Sequence, residues 1–436
     1  MTAFDLSLLP GSATVDAQGR LAIAGVELTA LAHDFGTPLY VYDEDDIRAR
    51  CRAYIAAFGD GVAYASKAFL CTAMARLITE EGLHLDVATG GELFVALHAG
   101  FPAERIVFHG NNKSEAELRT ALDAGIGRVA VDSTDELDRL EALVHAGCAA
   151  PAVHVRVTPG VEAHTHEFIE TGIEDSKFGF GLDSGEALGA VHRVVGRDVL
   201  HFAGIHCHIG SQVFRLDSFE RAVEKMVGLV HAIESETGAL VEELNVGGGL
   251  GVRYLPEDAP PTVAEYASVL RDSVAKALAD AGVRSRPRLM TEPGRSIVAP
   301  AGITLYTVGT IKEIPGVRTY VAVDGGMSDN LRPVTYGARY ETFLPARATA
   351  NRPRVVSIAG KHCEQGDVIV RDARLPGDLI VGDVLATPVT GAYCQSMASN
   401  YNKVSRPAVV FVRDGRARVV VRRETESDLV RFDVDA

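Results

Sequence analysis

Eight short apolar runs, each followed by a helical pattern, constrain the fold of this chain more than any other feature. They lie at 62–66, 83–87, 105–108, 128–131, 153–157, 202–207, 241–246 and 287–291. Strands that alternate with helices pair in parallel, and eight such units fit a (β/α)8 TIM-type barrel, for which about 250 residues is typical. We therefore predict an α/β chain built on such a barrel, with one longer insertion from Thr158 to Gly181.

Beyond the eighth run the pattern changes to strands without long helices between them. These runs are Ile303–Val308, Thr319–Val323, Arg354–Ile358, Asp367–Val370, Ala408–Val412 and Ala417–Val421. Such a series predicts a β-domain, to which the N-terminal runs Leu21–Ile23 and Val26–Leu28 are expected to add strands. We expect three parts: an N-terminal segment over 1–42 that packs with the β-domain, the barrel over 43–298, and the C-terminal β-domain over 299–436.

Composition excludes several classes of function. A chain of 436 residues with 47% hydrophobic and 23% charged residues is typical of a globular protein of more than one domain. The formal charge of −15 argues against a nucleic-acid partner, which would need a basic face. No leader-like pattern and no membrane-spanning apolar window is found, so we expect a cytoplasmic protein without a membrane partner. Six cysteines without CxxC spacing indicate neither a disulfide framework nor a zinc ribbon.

Polar residues follow the predicted barrel strands at their C-terminal ends. From the first run to the eighth these are Lys67, Asp86, His109–Asn112, Arg156, His206 and His208, Gly247–Gly249, and Glu292–Arg295. The chemistry of such barrels gathers at the C-terminal ends of the strands. The sequence therefore predicts one shared site built from this ring of residues.

The residue types in this ring indicate a pocket for pyridoxal phosphate. A partly desolvated Lys67 amine is a competent nucleophile for an aldehyde, and the glycine run Gly247–Gly249, helped by the Ser211 hydroxyl, can approach a phosphate closely. A carboxylate such as Glu292 beside a pyridine nitrogen favours the protonated ring, which then accepts electrons. The flat His208 side chain can stack on that ring.

Each of these residues also has a structural interpretation. A strand-end lysine can simply extend its amine to solvent, a glycine run can form only a tight turn, and Glu292 can pair with Arg295. His206 and His208, two apart on a strand, would point to one face and could instead bind a metal. No further cluster stands at recognisable ligand spacing, so no metal is predicted.

The chain resembles the fold-type III pyridoxal-phosphate decarboxylases nearly from end to end. The motifs that carry the resemblance are Phe35–Tyr42, Tyr64–Ala68, Asp86–Glu92, His109–Lys113, Gly204–Gln212, Gly247–Gly251, Glu292–Arg295, Val323–Met327, Cys363-Glu364, Gly391–Tyr393 and Ser399–Asn402. The resemblance implies an alanine-racemase-like barrel with a β-domain, and a homodimer whose active sites are completed across the interface.

The same resemblance implies roles for individual residues. Lys67 would carry the cofactor, His208 would stack on its ring, and Glu292 would hold the pyridinium nitrogen. The phosphate would be held by Ser211, Gly249, Tyr393 and the amides near Gly294. The complete cofactor-binding set is expected to be Lys67, Asp86, Arg156, His208, Ser211, Gly247, Gly248, Gly249, Glu292, Gly294, Arg295 and Tyr393.

Substrate choice is expected to depend on the far end of the pocket. Members of this family decarboxylate ornithine, arginine, lysine, carboxynorspermidine or diaminopimelate. Arg295, Arg332 and Tyr336 match carboxylate-binding positions and favour meso-2,6-diaminopimelate, because arginine grips a carboxylate with two hydrogen bonds. A pair of structural arginines remains the alternative.

The resemblance further implies decarboxylation at the D-centre to L-lysine, the last step of lysine biosynthesis. Cys363 of the partner subunit would donate the proton, and Glu364 and Tyr393 would contact the substrate. Gln365 stands where family members commonly have serine.

Three other functions stay open at this point. They are a non-catalytic protein of the same fold, a racemase, and a barrel metal hydrolase that uses His206 and His208. Retention of Lys67, Glu292, Cys363 and Tyr393 argues against the first. The larger barrel and the Cys363-Glu364 pair argue against the second by analogy.

Overall fold

The computed structural model describes residues 3–161 and 176–434. The chain divides into two compact units. The barrel unit comprises Cys51–Gly251 and Pro260–Gly294, and the sheet unit comprises Met1–Arg50, Val252–Ala259 and Arg295–Ala436. Most of the predicted insertion, residues 162–175, lies outside the described residues.

The strands are short in the barrel unit and longer in the sheet unit. In chain order they are β1 Thr14–Val15, β2 Leu21–Ile23, β3 Val26–Glu27, β4 Leu39–Asp43, β5 Ala63–Ala65, β6 His84–Val87, β7 Ile106–Phe108, β8 Arg128–Val131, β9 Ala152–Thr158, β10 Phe180–Gly181, β11 His201–Cys207, β12 Glu243–Asn245, β13 Arg288–Met290, β14 Gly302–Ile314, β15 Arg318–Val323, β16 Arg354–Ala359, β17 Val368–Leu375, β18 Val384–Pro388, β19 Ala408–Arg413 and β20 Arg416–Val421.

Helices follow most of the barrel strands. In chain order they are α1 Leu28–Phe35, α2 Glu44–Phe58, α3 Thr72–Glu80, α4 Gly90–His98, α5 Glu115–Asp123, α6 Thr134–His145, α7 Glu186–Arg197, α8 Leu216–Thr237, α9 Val263–Ala281, α10 Arg295–Val298 and α11 Arg332–Tyr336. Two of the outer helices begin at capping boxes, in which Ser114 pairs with Glu117 and Thr262 with Glu265. Each pair satisfies amide groups that the first helical turn leaves without a partner.

The barrel is a parallel sheet with strand order β13-β12-β11-β9-β8-β7-β6-β5, and β10 pairs with β9. Backbone hydrogen bonds from Ala63 to Thr291 (3.0 Å) and from Thr291 to Gly61 (2.8 Å) join the two ends of this order. The predicted (β/α)8 barrel is therefore confirmed. Its strands are buried on both faces, which explains why they appear in the sequence as continuous apolar runs.

The N-terminal end of the barrel is closed by an ionic cluster around Glu243 on β12. Its carboxylate accepts from Arg128 Nη2 at 2.5 Å and lies 2.6 Å from His154 Nε2, and Arg288 donates to it as well. Burial alone would raise the pKa of Glu243, but His154 and Arg128 outweigh burial and hold that pKa well below its usual range. The Glu243 cluster therefore gives the N-terminal end of the barrel a structural role. The active site is expected at the C-terminal end.

The sheet unit contains a mixed sheet of order β17-β16-β15-β14-β4-β19-β20, with β18 also paired to β14. The predicted β-domain is thus confirmed. The runs Leu21–Ile23 and Val26–Leu28 were expected to join it, but β2 and β3 instead form a separate three-stranded sheet of order β1-β2-β3, and Leu28 begins α1. The N-terminal strand that does join is β4, which lies antiparallel to β14 and parallel to β19 and is buried throughout. No helix in the described ranges is both long and apolar enough to cross a bilayer.

Candidate active site

Lys67 lies in the short turn that directly follows β5. The turn Ser66–Ala68 is a 3-10 helix, and the Tyr64 hydroxyl stabilises it by donating to the carbonyl of Phe69 at 2.8 Å. Ser66 and Ala68 are buried, whereas the Lys67 side chain is exposed. The turn thus leaves the Lys67 side chain accessible in the single chain.

Glu292, directly after β13, is the centre of a buried polar network. Asn245 Nδ2 donates to its Oε1 at 2.7 Å, and His206 Nε2 lies 3.1 Å from its Oε2. His109 Nε2 lies 2.8 Å from Oε1 and forms an ion pair with it. All four side chains are at most 6% exposed. The carboxylate therefore has three nitrogen neighbours in a site that largely excludes water.

These neighbours determine the charge of each group. Burial alone would raise the pKa of Glu292, but His109 and His206 outweigh it and hold that pKa well below its usual range. Burial lowers the pKa of His206 to about 3. Burial also opposes charge on His109, but Asp86 and Glu292 outweigh it and raise the His109 pKa. These shifts favour an anionic Glu292, a protonated His109 and a neutral His206.

Asp86 on β6 adds a second carboxyl to this network. Its Oδ1 lies 3.9 Å from His109 Nε2. Burial raises the Asp86 pKa to about 6, and the positive charges of His109 and Lys67 oppose part of that rise. The carboxyl of Asp86 therefore titrates well above the range of an exposed aspartate.

His208 and Arg156 stand at the ends of β11 and β9. Burial, together with the charges of Lys67 and Arg156, holds the pKa of His208 well below its usual range, so its ring is neutral. The Arg156 guanidinium lies 4.3 Å from the centre of the Phe178 ring, and its Nε lies 3.5 Å from Asp132. A neutral, flat imidazole of this kind suits stacking against an aromatic ring.

The glycine run after β12 forms a tight backbone cradle. Gly247 and Gly249 have positive φ angles of 69° and 116°, which side chains rarely tolerate. A Cβ on Gly248 would collide with the carbonyl of Glu292, and a Cβ on Gly249 with that of Gly210. The Gly247 amide donates to Asn245 Oδ1 at 2.9 Å, so Asn245 joins the cradle to the Glu292 carboxylate.

These residues fit pyridoxal phosphate. The glycine run with its two positive φ angles has backbone amides that can hold a phosphate, Glu292 is an anion suited to a protonated ring nitrogen, and Lys67 offers an amine. A Cβ on Gly294 would crowd Ala65 and Ala68, so this close packing beside Lys67 also requires glycine.

The three side chains His109, His206 and Glu292 could also surround a metal ion, since their ligand atoms lie within 4.8 Å of one another. This group differs from the pair His206 and His208 that the sequence suggested. Its contacts are accounted for by the hydrogen bonds and ion pair that hold Glu292 as an anion.

In the sheet unit, Arg295 and Arg332 are both 6% exposed and share one tyrosine. Arg295 Nη1 donates to the Tyr254 hydroxyl at 2.7 Å, and Arg332 Nη1 donates to the same oxygen at 2.9 Å. Arg332 Nη1 also donates to the Tyr340 hydroxyl. The Arg295 guanidinium lies 4.8 Å from the Tyr393 ring centre. Three of the predicted site residues, Arg295, Arg332 and Tyr393, therefore lie in one cluster, which we call the arginine cluster together with Tyr254 and Tyr340.

Cys363 and Glu364 stand on a separate exposed turn between β16 and β17. The Cys363 amide donates to Asn402 Oδ1 at 3.1 Å, and the Tyr401 hydroxyl donates to Glu364 Oε2 at 3.3 Å. Both side chains point away from a packed interior, as their exposure indicates. Tyr336 is half-buried on α11, and Gln365 is exposed on the same turn as Cys363.

Sequence reasoning missed four residues of these clusters. The roles of His109 and Asn245 as neighbours of Glu292 were not assigned, nor were Tyr254 and Tyr340 as acceptors for the arginines. Asn245 offered a signal, because an amide within the apolar run 241–246 must find a buried hydrogen-bond partner. Tyr254 offered none, since it lies in a loop between two barrel segments.

Comparison with known protein families identifies the class of enzyme to which this chain belongs. Residues 44–299, more than half of the chain, match the family model described as "Pyridoxal-dependent decarboxylase, pyridoxal binding domain". The fold and the cradle described above are those of a pyridoxal-phosphate-dependent carboxy-lyase.

Comparison with individual proteins identifies the family within this class of enzyme. The diaminopimelate decarboxylase of Mycobacterium tuberculosis is 51% identical over 435 residues, covering 98% of this chain and 97% of that protein. The diaminopimelate decarboxylase of Bacillus subtilis is 48% identical over 431 residues, covering 98% of each. The crystal structure of the M. jannaschii diaminopimelate decarboxylase, 36% identical, covers 98% of both chains with a TM-score of 0.90. The chain belongs to the diaminopimelate decarboxylase family, and its cofactor is pyridoxal 5′-phosphate.

Proposed function

We propose that this protein decarboxylates meso-2,6-diaminopimelate at its D-centre and releases carbon dioxide and L-lysine, the last step of lysine biosynthesis. The names of its relatives support the substrate, and one M. jannaschii structure of that name, 36% identical, was solved with L-lysine. The observation that carries the proposal is the arginine cluster, in which two buried guanidinium groups share the Tyr254 hydroxyl.

Most of the residues that would hold the cofactor belong to the barrel unit. Lys67 would bind its aldehyde, His208 would face its ring, and the amides of Gly247–Gly249 and Gly294, with Ser211 and Tyr393, would hold its phosphate. When bound, the cofactor supplies a protonated ring that accepts the electron pair left by the departing carboxylate. Asp86, Arg156 and Arg295 complete the proposed set.

Glu292 would hold the proton on the ring nitrogen. A carboxylate has about four lone-pair positions, and Asn245, His206 and His109 occupy three of them. One position is left for a ring N–H. The low pKa of Glu292 supports this role, because a carboxylate that stays ionised favours a protonated neighbour.

The distal end of diaminopimelate carries a second carboxylate and amine. Arg332, Arg295 and Tyr336 would bind the carboxylate, and Glu364 would bind the amine, with Tyr393 contacting the substrate as well. Among the described residues, no carboxylate lies within ion-pair distance of Arg332. A buried guanidinium that meets only tyrosine hydroxyls is suited to accept an anionic ligand.

We further propose a homodimer in the cytoplasm, in which Cys363 of the partner subunit protonates the α-carbon. The exposure of Cys363 and Glu364 supports this, because both side chains are accessible to a second copy. All six cysteines are free, as is usual for proteins of a reducing compartment, and this supports the location.

Carbon dioxide release tests the function. The purified protein with pyridoxal phosphate is compared on meso-diaminopimelate, L-lysine, L-ornithine and L-arginine. We expect release from diaminopimelate alone, with one L-lysine formed for each carbon dioxide. Release only from L-lysine, L-ornithine or L-arginine would refute the assignment of the distal site, and no release from any of them would refute the activity.

A further inference from the structure

Tyr254 occupies an unusual place in the chain. It follows the glycine run by a few residues and precedes α9, so its sequence neighbours on both sides belong to the barrel unit. The segment Val252–Ala259 nevertheless belongs to the sheet unit. Arg253 donates to the Ser7 hydroxyl at 2.6 Å, and Glu257 forms an ion pair with Arg339 at 3.3 Å. These contacts fix the position of Tyr254 beside the two arginines.

The hydroxyl of Tyr254 is a shared acceptor. It receives one N–H from Arg295 Nη1 and one from Arg332 Nη1, at 2.7 and 2.9 Å. The two cations would repel each other at this separation without an oxygen between them. The Tyr254 oxygen therefore fixes the distance between the two guanidinium groups.

Arg332 is oriented by both tyrosines. Its Nη1 carries two hydrogens, and these go to Tyr254 and Tyr340. The guanidinium also lies 4.9 Å from the centre of the Tyr254 ring. Within the described residues, Nε and Nη2 of Arg332 donate to no group. The Nε–Nη2 edge is thus left for a ligand, and its two parallel N–H groups match a carboxylate.

Tyr340 is itself held in place. The Tyr340 ring lies perpendicular to the Tyr254 ring, with centres 5.4 Å apart, and its hydroxyl lies 3.9 Å from Cys394 Sγ. The Cys394 thiol in turn donates to Asn330 Oδ1 at 3.5 Å. Burial raises the pKa of Tyr340 well above its usual range, so its hydroxyl stays neutral and remains an acceptor for Arg332.

We propose that Tyr254 is a specificity-determining positioning residue, whose hydroxyl sets the spacing of Arg295 and Arg332 for the distal carboxylate of the substrate. This inference rests on the proposed function. It assigns to Tyr254 a contribution to binding of the distal amino-acid head and no part in breaking the carbon–carbon bond.

The product and its own decarboxylated form make a matched pair of ligands for the test. L-lysine keeps the distal carboxylate after decarboxylation at the other centre, and cadaverine lacks it. Binding of L-lysine should therefore depend on the arginine cluster, and binding of cadaverine should not. Both are measured as competitive inhibitors of the holoenzyme with diaminopimelate as substrate.

The decisive variant is Tyr254→Phe, which keeps the ring and removes the oxygen. We expect the KM for diaminopimelate and the inhibition constant of L-lysine each to rise about tenfold, as loss of a hydrogen bond to a charged group predicts. We expect kcat to change less than about twofold and the inhibition constant of cadaverine to stay unchanged. Tyr320→Phe, on β15 and outside the cluster, is the matched control and should change none of these values.

Several results would overturn the proposal. An unchanged KM, a fall in kcat alone, or equal weakening of L-lysine and cadaverine would each do so. Tyr340→Phe gives a second test if Tyr254→Phe does not fold, because it removes one of the two acceptors of Arg332. In this variant the KM for diaminopimelate and the inhibition constant of L-lysine should both rise, and an unchanged KM refutes the model. Failure of the wild-type enzyme to act on diaminopimelate would instead refute the proposed function.

Discussion

At the scale of single residues, the network around Glu292 explains how a buried carboxyl can stay ionised. Burial favours the neutral acid, and a lone carboxyl in this position would take up a proton. His109, His206 and Asn245 supply N–H groups at 2.7–3.1 Å and reverse that preference. The electrostatic character of the site therefore depends on three residues that need not touch the cofactor.

Glu292→Gln removes the negative charge and keeps the size of the side chain. We expect kcat for diaminopimelate to fall about a hundredfold or more, because a neutral amide cannot hold the proton on the ring nitrogen by its charge. Steady-state kinetics at saturating cofactor measure this effect. Glu224→Gln, on the exposed face of α8, is the control. A variant as active as the wild type would contradict the role given to Glu292.

Asp86→Asn tests the charge of the second carboxyl. The folded-state pKa of about 6 exceeds the unfolded value of about 3.9. Folded protein thus binds a proton that unfolded protein releases between these values, and stability falls as the pH rises through about 6. Between pH 5 and pH 8 the Asp86→Asn apoprotein should lose about 1 kcal/mol less unfolding free energy than the wild type.

Denaturant unfolding of the two apoproteins at both pH values measures this difference. Asp123→Asn, at an exposed position, is the control and should follow the wild type. Identical pH dependence in the wild type and Asp86→Asn would show that Asp86 does not titrate in this range.

The sequence predicted where the site residues lie along the barrel better than it predicted which side chains they contact. Lys67, His208 and Glu292 could be placed because each directly follows an apolar run, and strand ends gather at one rim of a barrel. The exposure of Lys67 could not be predicted, since it depends on the turn Ser66–Ala68. The pairing of Asn245 with Glu292 needs the register of β12 and β13, which no local pattern contains.

At the scale of elements, the strand β12 contributes to a structural cluster at its first residue and to the active-site network at its last. Glu243 begins β12 and closes the N-terminal end of the barrel with Arg128, His154 and Arg288, whereas Asn245 ends the same strand beside Glu292. A strand of three residues thus spans from the structural cluster to the active-site network.

Glu243→Gln should destabilise the protein by about 3 kcal/mol, because it leaves buried cations without their anion. The contribution of Glu243 is present above its unfolded pKa of about 4.3 and is lost as the pH falls below it, since its folded pKa is lowered. Thermal unfolding at neutral pH measures the loss. Glu242→Gln, the exposed neighbour, should melt like the wild type. Equal melting of both variants would show that the cluster adds no stability.

Element prediction failed where a strand lacks an apolar pattern or where pairing is long-range. The run predicted at Ile303–Val308 continues to Ile314, because the second half of β14 pairs with β15 while exposing Thr310 and Lys312. β18 was missed. β4 was not recognised as a strand of the C-terminal sheet because its partners β14 and β19 lie far along the chain.

At the scale of the whole molecule, the proposed homodimer makes a prediction that single-chain experiments cannot. If Cys363 acts in the site of the partner subunit, then Lys67→Ala on one chain and Cys363→Ala on the other fall in the same site of a mixed dimer and leave its second site intact. Dissociating and reassociating equal amounts of the two inactive variants should restore about a quarter of the wild-type activity, as random pairing of two chains predicts.

Activity after mixing, with each variant alone as the control, measures this complementation. Lys67→Ala alone should also lose the visible absorbance of the bound cofactor, and Lys276→Ala should keep both absorbance and activity. No recovery from a mixture that light scattering shows to be dimeric would contradict a site shared between subunits.

The chain passes between the barrel unit and the sheet unit four times, after Arg50, Gly251, Ala259 and Gly294. No single cut in the gene separates the two units: a break after Gly294 leaves Met1–Arg50 and Val252–Ala259 attached to the barrel. Recombination between related genes would therefore exchange fragments of both units together. A crossover after Gly294, for example, would take Tyr254 from one parent and Arg295 and Arg332 from the other, so the arginine cluster of the product would be assembled from two genes.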